Sequence, residues 1–177
     1  MPFTTDLPAL NFIDGQWVRP ASNQSIEMVC PSDGHVVGQI ARGNAQDIDA
    51  AVAAARRAFE GEWGRTTATE RGRLLSRLGL AILAHQEELA QLEANDTGKP
   101  LKLARNDIVA TARYFEYYGG AADKVHGDTI PFLDGYQVMI VREPRGVPGH
   151  IIPWNYPAQM FGRTLGAALA TGNATVL

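Results

Sequence analysis

The chain has one cysteine, Cys30, among its 177 residues, so an internal disulfide framework is excluded and a reducing compartment is the default expectation. Charge of either sign is not in excess. Sixteen Lys and Arg face nineteen Asp and Glu, for a net charge of -3, and the isoelectric point is near 5.8. With no basic patch in the pattern, nucleic acid and anionic membranes are excluded as expected partners. No run approaches the roughly 20 apolar residues that span a bilayer, and the Met1 to Asp6 start lacks the basic and apolar segments of a secretory signal. Cytoplasm is the expected location. His35, His85, His126 and His150 are scattered without metal-ligand spacing, so no metal site is expected. No G-x-G-x-x-G follows a strand, so the ordinary dinucleotide fingerprint is missing too.

What is present is enough apolar material, 45% of residues, to build a core. The first forty residues read as hairpins. Asn11-Phe12-Ile13 and Gln16-Trp17-Val18 flank Asp14-Gly15, a strong two-residue turn signal. Ile26 to Cys30 and Val36 to Ala41 flank Pro31-Ser32-Asp33-Gly34, whose Pro and Gly suit a tight turn. Helices follow. Asn44 is a good N-cap with Asp47 and Asp49 behind it, and Ile48, Val52, Ala55 and Phe59 mark one helical face. Thr67 and Glu70 have capping-box spacing. A helix containing Leu89 and Leu92 should stop at Gly98 before Pro100, and another should cover Leu103 to Ala122.

From His126 the texture returns to strand. Thr129 to Leu133 and Tyr136 to Arg142 flank Asp134-Gly135, which predicts a third hairpin. An apolar strand, Val147 to Ile152, a helix from about Pro157 to Thr171, and a strand beginning at Ala174 would then form a βαβ unit. Gly166, Gly172 and Asn173 suggest close packing of that helix on the sheet and a left-handed helix end.

Two accounts of Asn155 stand side by side. It caps the helix that opens at Pro157, or its amide points into the crevice at the carboxyl end of a parallel strand and donates to a ligand oxygen. Trp154 and Tyr156 taken alone are packing aromatics, and Pro153 a strand terminator. Cys30 has no adjacent histidine or basic residue to lower its pKa, so it reads as a small buried hydrophobe rather than a nucleophile. The pairs Glu87-Glu88 and Asp47-Asp49 read as solvated faces or caps.

The run Ile151-Ile152-Pro153-Trp154-Asn155-Tyr156-Pro157, followed by Ala167-Ala168-Leu169-Ala170 and Gly172-Asn173, resembles the aldehyde dehydrogenase superfamily. Further matches run along the chain: Asn11 to Gly15 with Trp17, Asp49 to Phe59 with Trp63, Glu70-Arg71, Asp96-Thr97-Gly98-Lys99-Pro100, Tyr114, Ala122-Asp123-Lys124, Glu143-Pro144 and Gly146-Val147.

The resemblance implies an α/β fold: the N-terminal part of a Rossmann-like, parallel-sheet dinucleotide-binding domain, with preceding hairpins and helices and an oligomerisation β-hairpin. Residues 1–125 would be the N-terminal part of the cofactor-binding domain, 126–144 the oligomerisation hairpin, and 145–177 the start of the βαβ sheet. It also implies oxidation of a small-molecule aldehyde to a carboxylic acid with NAD or NADP through a cysteine thiohemiacetal, in a homo-oligomer, dimer or tetramer. Ile151, Ile152, Pro153 and Trp154 would line the cofactor site, Asn155 would donate to the substrate oxygen, and Tyr156 and Met160 would wall the aldehyde tunnel. In relatives the nucleophile and the general base lie further along, so these residues alone are expected to be inactive. Arg163-Thr164 stands where many relatives have Trp-Lys, which leaves the aldehyde unnamed. A non-catalytic protein acting by oligomerisation, and an acylating or phosphate-reducing relative, are the competing expectations.

Overall fold

Asp14 and Gly15 both take positive φ, 54° and 72°, the pairing that a two-residue type I′ turn requires. They join β1 (Asn11–Ile13) to β2 (Gln16–Val18) in register, Asn11 opposite Val18. The structure, a computed structural model, describes residues 8–177, and the Met1 to Asp6 start lies outside them. A second hairpin pairs β3 (Ser25–Val29) with β4 (Val36–Ala41), with a bulge at Met28/Val29 and a turn closed by Gly34 at φ 77°.

Short-range chemistry sets the helix starts. Asn44 caps α1 (Ala45–Glu60) in a capping box with Asp47, and the buried Asp47 carboxylate also accepts from the Ala21 N–H at 3.0 Å. After the single turn α2 (Glu62–Arg65), Thr67 and Glu70 form the capping box of α3 (Ala68–Ala84). Helix α4 (Gln86–Thr97) ends at Gly98 in the left-handed region, and α5 (Leu101–Ala121) begins just after Pro100. A 3-10 turn (Ala122–Lys124), β5 (Asp128–Ile130), β6 (Val138–Ile140) and α6 (Pro157–Ala170) complete the order. No helix is long and apolar enough to cross a membrane among the described residues.

The core sits where α3, α5 and α6 meet. Phe115 is fully buried there with Leu75, Ala122 and Ala170, and Phe161, Leu165 and Leu169 pack against them. A second cluster, Ala90, Ala104 and Ile108, joins α4 to α5. Small residues let the helices approach: a Cβ on Gly72 would lie 2.5 Å from the Gly119 carbonyl oxygen. Facing alanines and glycines substitute close backbone packing for large side chains.

The structure departs from four sequence expectations. Val147 to Ile152 is not a strand; it makes one parallel bridge, Gly149 to Val176. Pro148 and Pro153 lack N–H donors, which limits the ladder. The third hairpin is shorter than expected. Only Asp128–Ile130 and Val138–Ile140 pair, and residues 131–137 form a loop because Pro131 cannot donate to the next rung. Gly166 serves helix-on-helix packing rather than the sheet, since a Cβ there would meet the Tyr118 ring at 2.8 Å. On α1 the buried positions are Asp47, Ala54 and Ala55, while Ile48 is exposed.

Candidate functional site

The site is built on the parallel pairing at the end of the chain. His150 N–H donates to the Val176 carbonyl at 2.8 Å, Val176 N–H to Pro148 at 3.1 Å, and Ala174 N–H to Gly146 at 3.0 Å. Gly172, at φ 88°, turns the chain out of α6. The next residue locks the unit: Asn173 Oδ1 accepts from Gly146 N–H at 2.9 Å, and its carbonyl accepts from Trp63 Nε1 at 3.0 Å. Arg71 Nε donates to the Ala170 carbonyl at 3.2 Å. Helix α6 is therefore fastened at its C-terminal end to α2 and α3.

At the carboxyl end of the 146–150 segment the chain crosses residues 151–156 and enters α6 with Pro157 at its first position. Ile151 is wholly exposed and Trp154 is 82% exposed. Pro153, Asn155 and Tyr156 are also exposed, while Ile152 and Met160 are half-buried. These residues fall together on one loop and the first turn of one helix. Asn155 does not cap that helix: the N-cap position is Tyr156 and no side chain caps it. The Asn155 amide has no hydrogen-bond partner among the described residues.

Beneath the loop lies a charged cluster that sequence reasoning missed. Lys99 Nζ donates to Glu93 Oε1 and to Asp107 Oδ2, each at 2.6 Å, and to the Asn155 carbonyl at 3.2 Å. Gln159 Nε2 donates to Asp107 Oδ1 at 2.6 Å, and the ammonium stands 4.5 Å from the centre of the Tyr156 ring. Glu93 and Asp107 are buried, and Glu93 Oε2 has no hydrogen-bond partner among the described residues. Burial pushes the Glu93 carboxyl up. For Asp107 burial acts the same way, yet the bonds from Lys99 and Gln159 hold its carboxyl below the usual range. Burial opposes the Lys99 charge, but the two carboxylates hold its pKa above the ordinary value. A signal was available in α5. Its buried stripe, Ala104, Asp107, Ile108, Thr111, Ala112 and Phe115, carries a carboxylate on an otherwise mostly apolar face.

Cys30 is buried, as expected from the sequence. The tight turn nevertheless brings Asp33 and His35 to it, with ligand atoms of the three all within 4.8 Å of one another. Asp33 Oδ1 and His35 Nδ1 bond directly at 2.5 Å. Ligands at roughly 2.0–2.2 Å from one zinc ion would stand further apart than that, and the two side chains are hydrogen-bonded to each other across the turn.

A parallel pairing of two segments joined through α6, opening onto an exposed apolar loop and preceded by hairpins and stacked helices, is the N-terminal part of a Rossmann-like dinucleotide-binding domain. The model of the aldehyde dehydrogenase family matches residues 17–177, and the chain belongs to that family. It is 46% identical over 167 residues to the mitochondrial benzaldehyde dehydrogenase of Antirrhinum majus, covering 93% of this chain and 31% of that protein. It is 42% identical to the NADP/NAD-dependent aldehyde dehydrogenase PuuC of Escherichia coli, covering 94% and 34%. Among solved structures, the NAD+ complex of an aldehyde dehydrogenase from Bacillus cereus superposes with a TM-score of 0.93 at 42% identity, covering 96% of this chain and 35% of that one. The chain thus spans about a third of the length of the relatives it matches.

Proposed function

We propose that the intact protein oxidises an aldehyde to a carboxylic acid with NAD or NADP, and that Asn155 donates its side-chain amide to the substrate oxygen as negative charge develops there. The observation that carries this is the state of Asn155: exposed, relieved of helix capping, its amide unbonded, at the carboxyl end of the parallel pair. A donor fixed in place before the reaction costs little reorganisation when the oxyanion forms.

The residues assigned to the cofactor fit one part of it. Ile151 and Trp154 present uncovered apolar surface, suited to the flat ring and ribose of a nicotinamide nucleotide, with Ile152 and Pro153 between them. When bound, the dinucleotide supplies the oxidant, taking the hydride that leaves the carbon as it reaches the acid level. Tyr156 and Met160, flanking the amide on the loop and the first turn of α6, wall the aldehyde's approach. The NAD+ complex of the Bacillus cereus relative and the dual specificity named for PuuC support this cofactor class. Residues 1–125 then belong to the cofactor domain, 126–144 to an oligomerisation arm and 145–177 to the sheet. Exposed Phe132, Leu133, Tyr136, Met139 and Val141 on and around β5 and β6 favour burial against another copy.

The test is Asn155→Ala in the intact protein, assayed with aldehyde and NAD or NADP. Loss of one oxyanion donor should lower kcat by about 100- to 1000-fold, with dinucleotide affinity unchanged. Full activity in this variant would remove the assignment.

A further inference from the structure

The contacts of Lys99 do more than join two helices. Its ammonium lies among α4, α5 and the 151–156 loop, and two of its partners are buried carboxylates. Burying such a group is unfavourable, and an apolar set of similar volume commonly packs as well or better, so stability alone is a poor account of it. The cluster's outward contacts converge on one place. Lys99 donates to the Asn155 carbonyl, its charge faces the Tyr156 ring, and Asp107 accepts from Gln159 one turn further on. The loop has little else to hold it, because Ile151 and Trp154 are exposed and the start of α6 has no side-chain cap.

We infer that Lys99, set between Glu93 and Asp107, is the positioning residue of the Asn155 loop, fixing the main chain at Asn155 and so the direction of its amide. The inference rests on the proposed role of Asn155 for its effect on rate, though not for its effect on the loop. The carbonyl that Lys99 holds belongs to the residue whose side chain does the donating, so one hydrogen bond restrains the peptide plane next to the Asn155 Cα. Gln159, through Asp107, ties the first turn of α6 to the same point. A catalytic donor must stay within about 0.5 Å of its productive position, and a misplacement of about 1 Å costs on the order of 100-fold. Lys99 touches no reacting atom in this scheme.

The experiment uses the intact protein with Lys99→Met, Asn155→Ala and the combination. Removing one member leaves buried carboxylates uncompensated and threatens folding, so the neutralised set Glu93→Gln, Lys99→Met, Asp107→Asn is made in parallel, with and without Asn155→Ala. Expected for the neutralised set is a fall in kcat of at least tenfold where Asn155 is present, and of no more than about twofold where it is already alanine. KM for the dinucleotide stays unchanged. A crystal structure of the neutralised set should show the Asn155 amide displaced by about 1 Å or more, a readout independent of turnover. An equal fall in both backgrounds, or an amide in its parent position, overturns the inference. If Asn155→Ala alone retains full activity while the neutralised set displaces the loop, the oxyanion role falls and the positioning of the loop stands.

Discussion

The crossing of α3 and α5 allows a substitution whose sign depends on a single distance. A Cβ at Gly72 would stand 2.5 Å from the Gly119 carbonyl oxygen, where ordinary contact begins at 3.4 Å, a shortfall of about 0.9 Å. The obstacle is backbone, so no side chain can swing aside. Gly119 is equally constrained from its own side, with the Gly72 oxygen and Ser76 Oγ both 2.8 Å from a Cβ built there. Gly72→Ala must push the helices apart and loosen Leu75 and Phe115, which share this face. Overpacking costs about 1–3 kcal/mol, and alanine's better helix propensity returns up to about 1 kcal/mol. A backbone obstacle puts the cost near the upper end, so the net loss is about 2 kcal/mol. Gly120→Ala is the control, because a Cβ there meets nothing within 4 Å and should raise stability by up to about 1 kcal/mol. Thermal and urea unfolding of the intact protein, followed by far-UV circular dichroism, measure both. A Gly72→Ala protein as stable as the parent would refute the reasoning, and so would equal damage from Gly120→Ala.

Other tests reach the helix starts. Asn44→Ala removes the acceptor for the Gln46 and Asp47 N–H groups and should cost about 1 kcal/mol in unfolding free energy, within a range of roughly 0.5–2. A loss below a few tenths would mean that Asp47 alone holds the end of α1. Glu70 is held below the usual carboxylate range by its bonds to Thr67, so its contribution is present above the unfolded pKa of about 4.3 and lost as pH falls through the lower folded value. Melting curves of Glu70→Gln and parent should therefore differ at neutral pH and converge in acid. A gap that persists at the lowest pH would assign the effect to geometry rather than charge.

Much of the fold was legible because it rests on short-range rules. Asp14-Gly15 had to turn with positive φ, Thr67 and Glu70 had to cap each other, and Gly98 before Pro100 had to end a helix. The family was legible in the 151–157 run, since that spacing of proline, aromatic and amide is specific. The strand over Val147 to Ile152 was overread, because an apolar run says nothing about whether a partner lies alongside, and Pro148 and Pro153 withhold donors. Asn155 was left between capping and donating, and its place one residue before the N-cap position, Tyr156, speaks against capping.

By itself, then, the sequence determined the turns, most of the helix boundaries, the family and the loop that carries the candidate site. Tertiary structure decided what lies under that loop. Glu93, Lys99 and Asp107 come from α4, a connection and α5, and none of them stood out as a site residue in the sequence. Their meeting beneath Asn155 depends on how those helices pack against α6, a long-range contact that no local spacing encodes.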